Sequence, residues 1–292
     1  IIAAFAFAAQ RILPTAQQIY NSWSSLVSNS EPLFVISNEL KNYIFKHESK
    51  SEILILKSHI SFVNVSFSYS SNIQNIISNF NFKIPVGSRV GIVGKTGSGK
   101  TTLIDLFTGL LSPSKGKILI DDIALDENNR YKWKNSISNV SQNTFLSDLS
   151  IKENIAFGLD VSDIRKSKLI SAAKNAQAHD FIMKSPEKYN TLIGERGVRI
   201  SGGQAQRLGI ARALYKERKI IVLDEATSAL DYDTESKVMN SIYNSDKNVT
   251  MFIIAHRITT LEHTDIILEL KDDKLIKYDS YLNYKLSKNN FD

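Results

Sequence analysis

The sequence predicts an α/β fold in which a mixed or antiparallel sheet precedes a core of parallel strands, and three observations lead to this prediction. Apolar and polar residues alternate between positions 60 and 69, as they do in half-buried strands. A short apolar stretch at 88–93 runs directly into a glycine-rich loop. Continuous apolar runs at 219–223 and 250–255 end in polar residues, which is typical of fully buried parallel strands.

Other stretches of the sequence predict further strands and helices. Positions 80–84 and 118–120 predict two further strands, because each apolar stretch is followed by turn residues. Positions 102–110, 162–183 and 203–216 predict helices. The sequence contains no internal repeat and no low-complexity tract, so we expect neither a solenoid nor a disordered linker protein.

The composition is that of a globular protein. Of the 292 residues, 42% are hydrophobic and 23% are charged, which excludes disordered and fibrous classes. The net charge of +6 is spread along the chain, and it indicates a surface that attracts anions such as nucleotides or lipid headgroups rather than a nucleic-acid groove. We therefore expect no nucleic-acid partner. The absence of Cys excludes disulfides and thiolate metal sites, and it suits a reducing cytosol.

The first 45 residues predict a mostly helical segment, kinked at Pro14, that begins with an uncharged apolar run at 1–9. A spanning helix needs about 20 apolar residues, and a signal peptide carries positive charge before its apolar run, so this run fits neither by itself. Two interpretations remain: the buried end of a helix in a soluble protein, or the cytoplasmic end of a spanning helix whose beginning is missing. Arg11 directly after the run favours the second. Because residue 1 is Ile rather than Met, we expect a fragment of a longer chain, and the charged stretch at 46–52 marks a linker.

The glycine-rich loop has the pattern Gly, four residues, Gly-Lys-Thr, and lies between a strand and an apolar helix. Glycines let successive N–H groups turn towards phosphate oxygens at a helix N-terminus. We expect Lys100 to reach the β- and γ-phosphates and the Thr101 hydroxyl to bind Mg²⁺. The alternative, a chance glycine-rich turn, does not account for the strand–loop–helix context. The candidate nucleotide-binding residues of this segment are Gly94, Lys95, Thr96, Gly97, Ser98, Gly99, Lys100, Thr101 and Thr102.

Three polar residues follow the two buried strands. Asp224 and Glu225 end the apolar run at 219–223, and His256 ends the run at 250–255. Beside a nucleotide, Asp224 is expected to hold Mg²⁺, and Glu225 to orient the attacking water or accept its proton. His256 is expected to contact the γ-phosphate. The plainer alternatives are an acidic turn and a satisfied core histidine, and both would be preferred without the phosphate loop.

A second glycine-containing helix start distinguishes this chain within the phosphate-loop NTPases. Its candidate residues Ser201, Gly202, Gly203 and Gln204 precede or open the helix predicted at 203–216. A helix N-terminus favours anions, yet one nucleotide needs only one phosphate loop. The second site makes sense if it closes on a nucleotide held by a partner copy. The alternative is a glycine-containing loop that only caps its helix.

In order and spacing, these motifs resemble the nucleotide-binding domain of ABC (ATP-binding-cassette) transporters, and the resemblance covers about residues 60–277. It implies ATP and Mg²⁺ as ligands, a RecA-like parallel core, an antiparallel β-subdomain and a helical subdomain at about 143–216. Residues 200–204 match the signature motif, with Ile200 where Leu is usual. Ala205 also departs from the usual Arg, with no consequence that the sequence reveals.

The resemblance also implies roles for other residues. Tyr69 matches the aromatic that stacks on adenine, with a core strand Tyr as the alternative. Gln142 matches the glutamine that reaches the Mg²⁺ and the attacking water and senses the membrane domain. Residues 228–231 match the loop that crosses the dimer interface, and 194–197 resemble a loop of exporters that touches the partner's membrane domain. These assignments make Glu225, His256 and Gln142 the candidate catalytic residues.

For the whole chain, the resemblance implies an exporter-type half-transporter. Residues 1–59 are then the end of the last transmembrane helix and its linker, and 60–292 are the ATP-binding domain on the cytoplasmic side of the cell (inner) membrane. Residues 10–20 resemble exporters of lipids or lipid-linked oligosaccharides. A homodimer would have two complete sites, and a heterodimer stays open. The alternative function is a soluble, non-transport ABC-type ATPase.

Overall fold

The computed structural model describes residues 2–42, 52–70, 75–194, 197–245, 248–254, 257–271 and 274–289. The chain divides into two compact units, Ile1–Lys50 and Ser51–Asp292. His256 and the middle of the loop at 194–197 lie outside the described residues, as does most of the charged stretch at 46–52.

The described part of the first unit is a single long helix, α1 (Ile2–Asn42), which continues through Pro14 and Pro32. Large apolar side chains along it are exposed, among them Phe5 (74%) and Trp23 (67%). None of the described helices is both long and apolar enough to cross a membrane.

The described residues of the second unit form two sheets. The first is antiparallel, with the strand order β2-β1-β4-β5. The second has the order β10-β9-β3-β8-β7-β6, and all its neighbouring pairs are parallel except β10–β9. In chain order the strands are β1 (His59–Phe67), β2 (Ile77–Pro85), β3 (Arg89–Gly94), β4 (Lys115–Ile120), β5 (Ile123–Ala124), β6 (Ile137–Val140), β7 (Ile220–Asp224), β8 (Thr250–Ile254), β9 (Ile266–Lys271) and β10 (Lys274–Tyr278). The predicted α/β fold with an antiparallel sheet before a parallel core is therefore confirmed.

The helices of this unit are mostly short. They are α2 (Lys100–Thr108), α3 (Arg130–Asn135), α4 (Ile151–Ile155), α5 (Lys166–Asn175), α6 (His179–Lys184), α7 (Gly202–Tyr215), α8 (Tyr232–Ser245) and α9 (Tyr281–Asn289). The helical segment predicted at 162–183 is observed as two helices, α5 and α6, with a break between them. Gln177, between them, has a left-handed backbone with φ 53°, a conformation that ends a helix.

The continuous apolar runs are explained by two cores, one on each face of the parallel sheet. In β7, Ile220 and Val222 belong to the core shared with the antiparallel sheet and α2, whereas Ile221 and Leu223 belong to the core shared with the helices at 151–245. Because successive side chains of a strand point to opposite faces, a strand buried on both faces must be apolar at every position.

Candidate nucleotide site

The candidate site lies where parallel strands end. The carboxyl ends of β3, β8, β7 and β6 share one edge of the sheet, because these strands are parallel neighbours. Asp224 pairs with Ile254 in the register of β7 and β8, and Val140 pairs with Leu223 in that of β6 and β7. The phosphate loop, Asp224, Glu225 and the segment of Gln142 therefore converge at one edge, which is where ligands bind in open α/β sheets.

The phosphate loop connects β3, which ends at Gly94, to α2, which begins at Lys100. Its last residue before the helix, Gly99, has φ 97°, and a Cβ there would come within 2.6 Å of Ile76 Cγ2. Only glycine fits this conformation without strain. Gly99 has no side chain to cap the helix, so the first-turn N–H groups of α2 remain available to an anion.

Two further polar groups of the loop fit a bound phosphate. The Lys100 ammonium donates to the carbonyl oxygens of Gly94 (2.9 Å) and Lys95 (3.0 Å), which holds a positive charge over the loop. Ser98 Oγ is buried and has no hydrogen-bond partner among the described residues. Buried polar atoms are rarely left unpaired, so this hydroxyl fits a site that a ligand oxygen completes.

Tyr69 lies beside the first turn of α2. Its hydroxyl is 3.2 Å from Thr102 Oγ1, and its ring meets the buried Phe67 edge-on, with 5.0 Å between centroids. The side chain remains 60% exposed. One hydroxyl contact and one ring contact thus hold the side chain while much of it stays exposed to a ligand, so Tyr69 is not a buried core residue.

Acidic side chains cluster at the end of β7. Burial raises the pKa of the Asp224 carboxyl above its usual range, and the negative charges of Glu225 and Asp105 raise it further, whereas Lys100 lowers it. Burial also raises the pKa of Asp105. A bound cation would offset this repulsion and favour the charged carboxylate.

The donor set fits Mg²⁺. No group of three or more His, Cys, Asp or Glu side chains within the described residues forms a metal cage. Thr101, Gln142 and Asp224 offer instead a hydroxyl, an amide and one carboxylate. Mg²⁺ is usually held by one or two carboxylates together with water and substrate phosphates, so this sparse set of oxygen donors suits it.

Glu225 has a constrained backbone. Its φ is 50°, in the left-handed region that non-glycine residues rarely occupy, and its N–H donates to Ile254 O at 3.1 Å. Such conformations cost free energy and concentrate at functional sites. The turn that follows β7 therefore fixes the backbone from which the Glu225 side chain extends.

The signature motif begins α7 with a reciprocal cap. Gln204 N–H donates to Ser201 Oγ at 3.3 Å, and Ser201 N–H donates to Gln204 Oε1 at 3.1 Å. A Cβ on Gly203 would lie 3.0 Å from Ala229 O, so this helix start packs closely on the segment 226–231 that follows Glu225. The exposed Ser201 hydroxyl can still donate its proton to a ligand.

A contact that the sequence did not indicate joins α7 to the same segment. The buried Gln206 side chain donates through Nε2 to Ser228 Oγ (3.0 Å) and accepts from Ala229 N–H (2.9 Å) through Oε1. Residue spacing alone does not reveal such a contact, because Gln206 looks like any polar residue of an amphipathic helix.

Comparison with known proteins identifies this arrangement. The sequence profile of the family described as "ABC transporter" matches residues 77–228, about half of the chain, including the phosphate loop, Asp224, Glu225 and the signature motif. The chain belongs to the ABC transporter family. Its fold and its identity as an ATP-binding and ATP-hydrolysing domain of that family, both expected from the motifs, are thereby confirmed.

Individual members give the same result. The chain is 38% identical over 278 residues to a β-(1→2)glucan export ATP-binding/permease protein of Bartonella quintana, covering 94% of this chain and 46% of that protein. It is 39% identical over 251 residues to an ATP-dependent lipid A-core flippase of Coxiella burnetii, covering 86% and 42%. A bacterial Atm1-family ABC exporter solved with ATP bound superposes with a TM-score of 0.74 at 33% identity, covering 82% of this chain and 42% of that chain. The chain thus spans less than half the length of these ABC relatives.

Proposed function

We propose that this chain is the ATP-hydrolysing part of an exporter subunit and that two copies close on ATP. The observation that carries the proposal is that one chain contains two different glycine-containing helix starts, at α2 and α7, and a helix start of this kind favours anions. ATP would be held by Lys100, Thr101 and Tyr69 of one copy and by Ser201 and Gly203 of the other. A homodimer then has two complete sites, and no specialised partner is required.

In the proposed hydrolysis, Glu225 orients the attacking water or accepts its proton, and Lys100 neutralises charge on the β- and γ-phosphates. Gln142 contributes an amide oxygen near the water, and His256 contacts the γ-phosphate. Mg²⁺, held by Thr101, Asp224 and Gln142, would supply charge neutralisation of the transferred phosphoryl group. The carboxylate cluster around Asp224 and the constrained turn at Glu225 support these assignments.

The experiment is steady-state ATPase activity of the chain as a function of protein concentration. A site shared between copies predicts activity that rises faster than linearly with concentration. Glu225→Gln is expected to be inactive yet dimeric in ATP, whereas Glu127→Gln, which removes an exposed carboxylate in a turn, should match the wild type. Activity linear in concentration would contradict the shared site, and an active Glu225→Gln would contradict the role of Glu225.

For residues 1–59 we propose a connection between a membrane domain and the ATP-binding domain (60–292), with the latter on the cytoplasmic side of the cell membrane. The exposed apolar side chains of α1 and the permease portions named in the relatives support this. The exported substrate would be a lipid or a glycan, since one relative is named as a glucan export protein and another as a lipid A-core flippase.

Tryptophan fluorescence tests the membrane part of this proposal. The chain has two Trp residues, of which Trp23 in α1 is 67% exposed and Trp133 is fully buried. Phospholipid vesicles should shift the Trp23 emission to the blue, and Trp23→Phe should abolish that shift. An unchanged spectrum would contradict membrane contact by α1.

A further inference from the structure

Glu235, in the first turn of α8, is a buried carboxylate outside every motif of the nucleotide site. Only 6% of the residue is exposed. Thr227 Oγ1–H and Thr260 Oγ1–H donate to its Oε1 at 2.8 and 2.9 Å, and Arg257 forms an ion pair with its Oε2. Both carboxylate oxygens are therefore occupied.

These partners come from two segments that flank the reaction site. Thr227 follows Glu225 by two residues, after β7. Arg257 and Thr260 lie after β8, the neighbouring strand, and Thr260 belongs to the short 3-10 turn Ile258–Leu261. One carboxylate thus joins α8 to the segments that leave the carboxyl ends of two adjacent parallel strands.

Arg257 extends the same connection. Its second guanidinium nitrogen approaches Leu230 O at 3.4 Å, within the segment 226–231. The Arg257 side chain is 44% exposed, so solvent screens its pairing with Glu235, and the two buried threonine hydroxyls are the more strongly desolvated partners. The contacts to Thr227 and Thr260 are therefore the ones that constrain geometry most directly.

A buried carboxylate is an expensive way to stabilise a fold, because its desolvation must be offset by well-placed donors, and an apolar residue of similar size often does as well. The carboxylate instead fixes the geometry of its neighbours. It accepts hydrogen bonds from two segments simultaneously and so sets the distance between them.

We propose that Glu235 is a positioning residue for ATP hydrolysis: through Thr227 and Thr260 it holds the turn carrying Glu225 in register with the segment after β8. This rests on the proposed role of Glu225. Because Glu235 acts on the placement of the attacking water and not on the phosphate loop, its loss lowers kcat and leaves KM for ATP nearly unchanged.

The main test uses variants that remove one hydroxyl while keeping the shape of the side chain. Thr227→Val and Thr260→Val should each lower kcat about five- to tenfold, with KM within about twofold, whereas Thr227→Ser, which keeps the donor, should retain most of the activity. The matched control is Thr264→Val. Thr264 is equally buried on the neighbouring turn, but its hydroxyl donates to Leu261 O at 2.7 Å and not to Glu235.

Glu235→Gln is measured beside them, because it keeps one oxygen for the threonines while it removes the negative charge and replaces the oxygen paired with Arg257 by an amide NH2 group. Melting temperatures of all variants separate positioning from stability: the proposal expects Thr227→Val and Thr264→Val to be destabilised alike but only the first to lose kcat. Equal kcat in these two variants, or kcat and KM changing together, would overturn it.

Glu225→Gln in the same series keeps the two proposals distinguishable. If Glu225→Gln hydrolyses ATP, the assigned role of Glu225 fails and Glu235 has nothing to position. If Glu225→Gln is inactive while Thr227→Val resembles Thr264→Val, only the positioning role of Glu235 is overturned.

Discussion

Two helices of this molecule, α2 and α7, begin in glycine-containing loops, but their first turns are satisfied differently. Gly99 leaves the start of α2 without a side-chain cap, and Lys100 adds a positive charge there. In α7, Ser201 and Gln204 cap each other, and no basic residue lies in the first turn. The start of α2 therefore offers uncapped N–H groups and a positive charge to an anion, whereas at the start of α7 the N–H groups of Ser201 and Gln204 are already bonded within the chain.

In the proposed dimer, this difference gives the two half-sites different roles. A cation and uncapped N–H groups would let the phosphate loop bind a nucleotide by itself. The self-capped start of α7 would add donors to a nucleotide that another copy already holds, but it offers too little charge to capture one. The order of events would follow: binding at α2 first, closure by α7 second.

The largest effect expected from this comparison is at Lys100. Lys100→Ala should weaken ATP binding by a single chain about 100-fold or more, because a charge-assisted contact to the phosphates is lost. Calorimetric titration at low protein concentration measures this. Lys115→Ala, which removes an exposed positive charge on β4, is the control and should bind normally. Similar losses of ATP affinity in both variants would mean that ATP binding depends only on the net charge of the chain.

The next effect concerns the glycines at the two helix starts. Gly99→Ala should lower the free energy of unfolding by about 2 kcal/mol, because it forces a residue with a Cβ into φ 97° and against Ile76. Gly202→Ala should change it by less than about 1 kcal/mol, since a Cβ there meets Ala229 Cβ at an ordinary 3.8 Å. Urea unfolding of both variants checks the difference, and equal losses would contradict it.

Ser201→Ala should distinguish the contribution of α7 from that of the phosphate loop at α2. We expect ATPase activity at high protein concentration to fall about tenfold, because the shared site loses one donor to phosphate, while ATP binding by a single chain is unchanged. Parallel binding and turnover assays test this. If binding by the single chain weakens as well, then α7 contributes to the site of its own chain and the comparison above is wrong.

The smallest effect is at Gln204. Gln204→Ala removes one half of the reciprocal cap and should cost about 0.5–1 kcal/mol of stability. We expect turnover to stay within about threefold of the wild type, because Ser201 keeps its hydroxyl. Thermal unfolding and turnover of the same sample give both values, and a tenfold loss of turnover would assign Gln204 a direct role.

Much of this could be predicted from the sequence because the decisive features are local. The phosphate loop needs glycines and a lysine at set spacings between a strand and a helix, and β7 and β8 are apolar throughout because both of their faces are buried. The helical segment at 162–183 was predicted, but its break at Gln177 was not, because a left-handed residue produces no signal in hydrophobic periodicity.

The sequence by itself determined the α/β class and the family, and it predicted the residues around the phosphates, since these depend on short motifs. Only the tertiary structure decided that Glu235 joins Thr227 to Thr260 and that Gln206 holds Ser228 and Ala229. The physical reason is that a buried polar side chain is defined by its partners, and these partners lie 8 to 25 residues away in the chain. The strand order brings these partners together, and the spacing of residues in the sequence does not reveal the strand order.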